Sequence, residues 1–294
     1  MTVSRRTFLL GTLALAGCSP TPTSSLTLAA GEQGGLYLDF ATLLARQLDP
    51  NPHVTPRVTA GSLENLSLLR DRQADLGLTL ADTATGTDLR ALGRVYENYF
   101  QLVVRADDPA RSVHDLADRP LSLGARGSGA SVFGDRLVTE ATLGDRVDHL
   151  PLAEAAQALA DRRIDAFLWS GGVPTPTVSD LDRQVPVRLL PLSDVLPTLR
   201  ARYGPVYEPV SVPAGVYRAQ EEIPTVGVAN LLVCRPDLPD AVATTITRTL
   251  VERAADLVPT QALGTQFLDV RSLIGTTTIP LHPGAAEAYR DLHG

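Results

Sequence analysis

Residues 121–134, LSLGARGSGASVFG, set Ser128 and Ser131 in a glycine-rich loop between a strand-like run and a helix-like run. Residues 26–37, LTLAAGEQGGLY, repeat that order around Gly34 and Gly35. Loops of this kind cradle a nucleotide phosphate, expose a catalytic serine, or turn backbone N–H groups toward a small anion. A dinucleotide fingerprint fails, because the third glycine position after Gly127 and Gly129 is Val132. A phosphate-binding P-loop needs a lysine, and all 26 basic residues of the chain are arginine. The same absence excludes Schiff-base chemistry. A nucleophile elbow fails at both candidate serines: Ser128 is flanked two residues away by Arg126 and Ala130, and Ser170 by Leu168 and Gly172. The five histidines (53, 114, 149, 282 and 293) form no metal-ligand pair at helical spacing and read as surface or loop residues. What survives is a nest of N–H groups with the hydroxyls of Ser128 and Ser131, suited to an anion. No catalytic residue, metal or cofactor is called for.

These loops need strands and helices to aim them. SLTLAAG (25–31) is strand-like, YLDFATLLARQL (37–48) helical, HVTPRVTAG (53–61) extended, LENLSLLRDRQ (63–73) helical and ADLGLTLAD (74–82) strand-like. This order predicts an α/β protein with a largely parallel sheet. In such sheets, ligands bind at the carboxyl ends of the strands, where both glycine loops would lie. Two internal echoes point to a duplicated architecture. LLRDRQADLGLTLAD (68–82) resembles ALADRRIDAFLWSGG (158–172), and FQLVVRADDPARSVHDLADR (100–119) resembles ANLLVCRPDLPDAVATTITR (229–248).

Several phrases, in order from about residue 26 to 250, together resemble one family, the TAXI-type substrate-binding proteins of TRAP transporters. They are AAGEQGGLYLDFATLLARQL, VTAGSLENLSLLRDRQADLGLTLADTA, VYENYFQLVVRAD with VHDLADRPLSLGARGSGAS, RRIDAFLWSGGVPTPTVSDL, and IPTVGVANLLVCRPDL. The resemblance implies a two-lobe clamshell of the periplasmic-binding-protein type II, joined by two hinge strands. Lobe one would comprise 26–105 and 223–294, and lobe two 106–222. It also implies capture of a small organic acid or amino acid of the 2-oxoglutarate or glutamate class, delivered to a TRAP-type membrane permease. The ligand residues it implies are Gly34, Gly35, Leu36, Tyr37, Ser62, Asn65, Ser128, Gly129, Ser131, Trp169 and Gly172. Ser62 and Asn65 also fit a helix cap, Trp169 also fits a core position, and Arg126 is either a partner for a second carboxylate or an exposed loop arginine. Leu36 and Ala130 stand where the family carries threonines, which removes two side-chain donors. That departure favours a less charged ligand, such as an amino acid or a monocarboxylate. The alternative reading is a ligand-sensing accessory lipoprotein that signals to a membrane receptor; an enzyme on the same fold is a third class.

The bulk composition agrees with an exported binding protein. The chain has 294 residues, 44% hydrophobic content and a net charge of −7, with no basic run for nucleic acid. Its start, MTVSRRTFLLGTLALAGC, resembles a twin-arginine lipoprotein signal: Arg5 and Arg6, an apolar run too short to span a bilayer, and a lipobox ending at Cys18. Residues 1–17 would be removed, Cys18 lipidated to anchor the protein on the outer face of the cell membrane, and 18–25 would be a tether. Cys234 is then the remaining cysteine. Its apolar setting, NLLVCRP, reads as a buried, inert thiol.

Overall fold

The computed structural model describes residues 25–84, 88–259, 268–276 and 279–293. The export signal, Cys18 and residues 19–24 of the tether lie outside the described residues. In chain order the elements are β1 Ser25–Ala29, α1 Leu36–Leu48, β2 His53–Arg57, α2 Ser62–Arg70, β3 Leu76–Leu80, β4 Arg90–Arg105, β5 Leu121–Ser122, α3 Gly129–Ala141, β6 Val147–Asp148, α4 Leu152–Ala160, β7 Ala166–Gly171, α5 Pro176–Gln184, β8 Val187–Leu190, α6 Leu196–Tyr203, β9 Tyr207–Val212, β10 Ile223–Cys234, α7 Asp240–Glu252, α8 Val270–Leu273 and α9 Pro283–His293. The helix–strand alternation read from the first eighty residues is present element for element. Among the described residues no helix is long and apolar enough to cross a membrane.

One sheet runs through the molecule in the order β2-β1-β3-β10-β4-β7-β5-β6, with β8 paired to β4 and β9 to β10. The long strands β4 and β10 are antiparallel partners from Arg90 opposite Cys234 to Tyr99 opposite Gly227. Each also has further neighbours, and from Asn230 to Cys234 β10 lies between β4 and β3. β4 takes β7 from Tyr99 to Val104 and β8 from Leu102 to Arg105. β10 takes β9 from Ile223 to Val228 and β3 from Asn230 to Cys234. The fold is the two-lobe periplasmic-binding-protein type II architecture, with β4 and β10 as its hinge strands.

The registers fix where ligand loops can lie. β3 ends at Leu80, opposite Asn230, and Asn230 faces Tyr96 of β4. β7 ends at Gly171, opposite Tyr99 of β4. The parallel strands of each half therefore point their carboxyl ends at the same short stretch of β4, from opposite sides. Apolar packing holds this arrangement. Every residue of β3 is buried, as befits a strand covered on both faces. Phe133 of α3 stacks on Phe100 of β4 with ring centres 3.6 Å apart.

Both sequence echoes are physical repeats. In the first, Arg72 and Arg162 each adopt a left-handed backbone (φ 55 and 58) after their helices. Asp75 accepts from the Thr27 N–H at 2.8 Å, and Asp165 accepts from Arg119 Nε at 2.9 Å. The second echo joins the first at a salt-bridged corner. Arg72 and Arg235 share Asp237; Arg162 and Arg105 share Asp107. These exposed pairs define a shape more than they stabilise it. Cys234 is a buried free thiol whose pKa burial raises to about 12. His282 departs from the surface reading: it is 1% exposed, and its Nδ1 accepts from the Gly284 N–H at the start of α9.

The middle of β4 also buries a carboxyl. Glu97 meets Arg94 at 2.6 Å, yet burial outweighs that pair and raises its pKa from 4.5 to about 7, with Glu208 adding to the rise. Between those values the folded protein keeps a proton that the unfolded chain releases, so stability falls as pH rises through that window. The loss is about 3 kcal/mol at most. Urea midpoints measured from pH 4.5 to 7.5 should fall more steeply for the wild type than for Glu97→Gln. Equal slopes would show that Glu97 titrates normally.

Candidate functional site

Three helices begin at the convergence of strand ends. The chain leaves β1 through Gly31 and Glu32 and enters α1 behind Gly35; it leaves β2 through Ala60 and enters α2 behind Gly61; it leaves β5 and enters α3 behind Ser128. Those starts line one cleft, whose far wall is Trp169, Ser170 and Gly171 at the end of β7. The first N–H groups of a helix have no acceptor within it, and its dipole places positive charge there. Three such ends on one cleft form a site for negative charge built without a basic side chain.

Two glycines permit the approach. Gly61 has φ +122, a backbone open to glycine and strained for other residues, and it turns the chain into α2 directly against Ser128. Gly129 lies so close to the other half that an added Cβ would stand 2.4 Å from Leu80 Cδ1 and 2.8 Å from Ser62 Oγ. The halves also bond across the cleft. The Glu64 N–H donates to Gly127 O at 3.1 Å, and the Leu152 N–H, at the start of α4, donates to Glu32 Oε2 at 2.8 Å. Behind the cleft, Arg136 of α3 and Tyr207 of β9 both reach Asp82, at 3.0 and 2.7 Å.

Seven of the eleven residues implied by resemblance line this cleft: Gly35, Leu36, Tyr37, Ser62, Ser128, Gly129 and Trp169. The other four lie around it. Gly34 is exposed in the turn before α1, with φ +76. Asn65 is fully buried one turn into α2; its amide donates to Ala30 O and Leu78 O at 2.6 and 2.7 Å, and its oxygen accepts from Thr59 Oγ1. It therefore ties β1 and β3 to α2. Ser128 caps α3, its Oγ accepting from the Ser131 N–H at 3.1 Å, and the Ser131 hydroxyl donates to Ser128 O at 2.8 Å. Gly172 lines a smaller neighbouring cavity with Leu36 and Asp39, and its carbonyl accepts from Thr175 and Gln101.

Ser62 is not an N-cap. Gly61 holds that place, and Ser62 Oγ instead accepts from the Leu80 N–H at 3.0 Å and meets Tyr37 OH at 3.3 Å. Burial pushes the Tyr37 pKa up, so the hydroxyl stays a neutral donor or acceptor. Trp169 is both wall and core: it is 8% exposed, and its indole N–H donates to Thr175 Oγ1 at 3.1 Å. Arg126 is exposed and does not line the cleft.

Among the cleft residues outside the expected set, Glu32 and Asn98 each carry a side-chain oxygen without a partner. Glu32 keeps Oε1 buried without a hydrogen-bond partner, and burial, opposed by the Leu152 N–H, raises its pKa. Asn98 is 3% exposed; its amide donates to Ser170 Oγ at 3.1 Å and its oxygen has no partner. The available signals are a carboxylate inside a glycine loop and a polar pair, Glu97–Asn98, set between Tyr96 and Tyr99 of β4. Among the described residues no group of three His, Cys, Asp or Glu side chains could hold a metal ion.

Comparison with solved structures gives the same architecture at low identity. XAC2383 from Xanthomonas citri, bound to chloride ion, superposes with a TM-score of 0.51 at 12% identity, over 91% of this chain and 95% of that one. A mutant of ArgBP from T. maritima superposes with a TM-score of 0.50 at 13% identity, over 80% and 92%. A family model settles the relationship more directly than these likenesses of fold: it matches residues 28–292, and the chain belongs to the NMT1-like family.

Proposed function

We propose that the protein is an extracytoplasmic solute-binding protein that closes two lobes over a small carboxylate-bearing ligand and does no chemistry on it. The observation that carries this is the convergence of the α1, α2 and α3 starts on one cleft that also takes in Asn98 of the hinge strand β4. Each helix end contributes about 0.3–1 kcal/mol toward an anion at the surface, and up to ~2 kcal/mol when partly buried. Closing the lobes removes competing water and brings donors from both sides. The lobes divide within β4 near Tyr96–Tyr99 and within β10 near Gly227–Asn230, a few residues inside the boundaries drawn from the sequence. The strand exchange at those points supports this division.

The finer reading follows from the sequence phrases. Delivery to a TRAP-type permease rests on the TAXI resemblance, and tethering to the membrane through Cys18 rests on the lipobox. The ligand residues we propose are the seven of the expected set that line the cleft.

A thermal-shift screen against small organic acids and amino acids tests the binding role. A true ligand at a hundred times its Kd adds about 2.7 kcal/mol, a rise of roughly 5–10 °C for a chain of this size. A flat response across the panel would contradict the proposal. Closure is tested separately by Gly129→Ala. The added methyl overpacks the contact between α3 and Leu80 by about 1–3 kcal/mol. Calorimetry should show ligand affinity at least tenfold weaker, and unchanged affinity would mean that this contact is not part of the bound state.

A further inference from the structure

The cleft is lined by one charged side chain, and it is an acid. Glu32 stands beside three helix starts, while the remaining lining residues are neutral. Three helix ends offer about half a positive charge each. Set against one carboxylate, they leave a site close to electrical balance. A dicarboxylate would bring two negative charges to a cleft without an arginine. A ligand with one negative and one positive group would meet both kinds of partner.

The hydrogen bonds point the same way. Glu32 Oε2 is occupied by the Leu152 N–H, and Oε1 has no partner. The Asn98 oxygen, on a residue 97% buried, has none either. Both lining residues thus hold an acceptor that lacks a donor, and a buried acceptor without a donor is costly. An ammonium group carries three donors and a charge opposite to that of Glu32. Leu36, Ala60, Leu80 and Ala130 make up apolar parts of the wall and offer nothing to a second charged end.

We propose that Glu32, with Asn98, recognises the ammonium group of a neutral α-amino acid whose carboxylate lies at the helix starts. This rests on the reading of the cleft as a carboxylate site. Glu32 then has a second consequence. Because its other oxygen accepts from the first residue of α4, in the opposite lobe, the carboxylate that meets the ligand also helps hold the lobes together.

The test is calorimetry on the full chain with paired probes: glycine, L-alanine, L-valine and L-leucine against acetate, propionate, isovalerate and 4-methylpentanoate, with 2-oxoglutarate alongside. At least one amino acid should bind a hundredfold or more tighter than its deaminated partner and than 2-oxoglutarate. In Glu32→Gln the side-chain oxygen for the Leu152 N–H is kept and the charge is lost. The favoured amino acid should weaken at least thirtyfold there, while its deaminated partner is unchanged. Equal affinity for amino acid and deaminated acid in the wild type, which needs no variant, overturns the inference and leaves the carboxylate site standing. So does tighter binding of 2-oxoglutarate, or an amino acid affinity in Glu32→Gln within threefold of the wild type. Binding of none of the probes overturns both readings together.

Discussion

The antiparallel ladder between β4 and β10 is the constraint from which the rest of the molecule follows. Its two strands are the long ones, and each changes partners partway along. Because β3 runs antiparallel to β10 and β7 antiparallel to β4, the carboxyl ends of both halves of the sheet arrive at the ladder's middle. Helices that follow parallel strands begin at those ends, so three helix starts face one another with no further instruction. The cleft is a topological outcome, and its side chains only adjust it. Two close approaches, at Gly61 and Gly129, allow the halves to meet.

Electrostatics then separates the cleft from its surroundings. Positive potential comes from backbone N–H groups, and the arginines serve other purposes: Arg136 grips Asp82 behind the cleft, and Arg72, Arg105, Arg162 and Arg235 hold the repeated corners. A site made from backbone dipoles is rigid and carries no mobile countercharge of its own. The negative group it does contain, Glu32, therefore sets what a ligand must bring. The buried carboxyl of Glu97 lies on the same strand stretch but does not line the cleft, which separates the pH response of stability from recognition.

Much of this was legible before the structure. The alternation of strand and helix, the glycine loops, both echoes and the inert setting of Cys234 are local patterns, and each has its physical counterpart. Asn65 shows where local reading ends. Its phrase, GSLEN, marks the loop correctly, yet the side chain turns inward to bond Ala30 and Leu78, partners 35 and 13 residues away. Ser131, a ligand residue by resemblance, makes its hydrogen bonds to the helix cap Ser128. What sets Glu32 and Asn98 apart is an unpartnered buried oxygen, which no run of letters displays. His282 is buried by the start of α9 packing near β4, a contact nearly two hundred residues apart in sequence.

The central claim is that the ligand sits between the lobes against β7. Trp169 is the one tryptophan in the chain, and it forms that wall. Its fluorescence therefore reports from the cleft without any label. A ligand that binds by calorimetry should change the Trp169 emission along the same saturation curve, with the same Kd. Saturable binding that leaves the emission unchanged would place the site elsewhere and contradict the account.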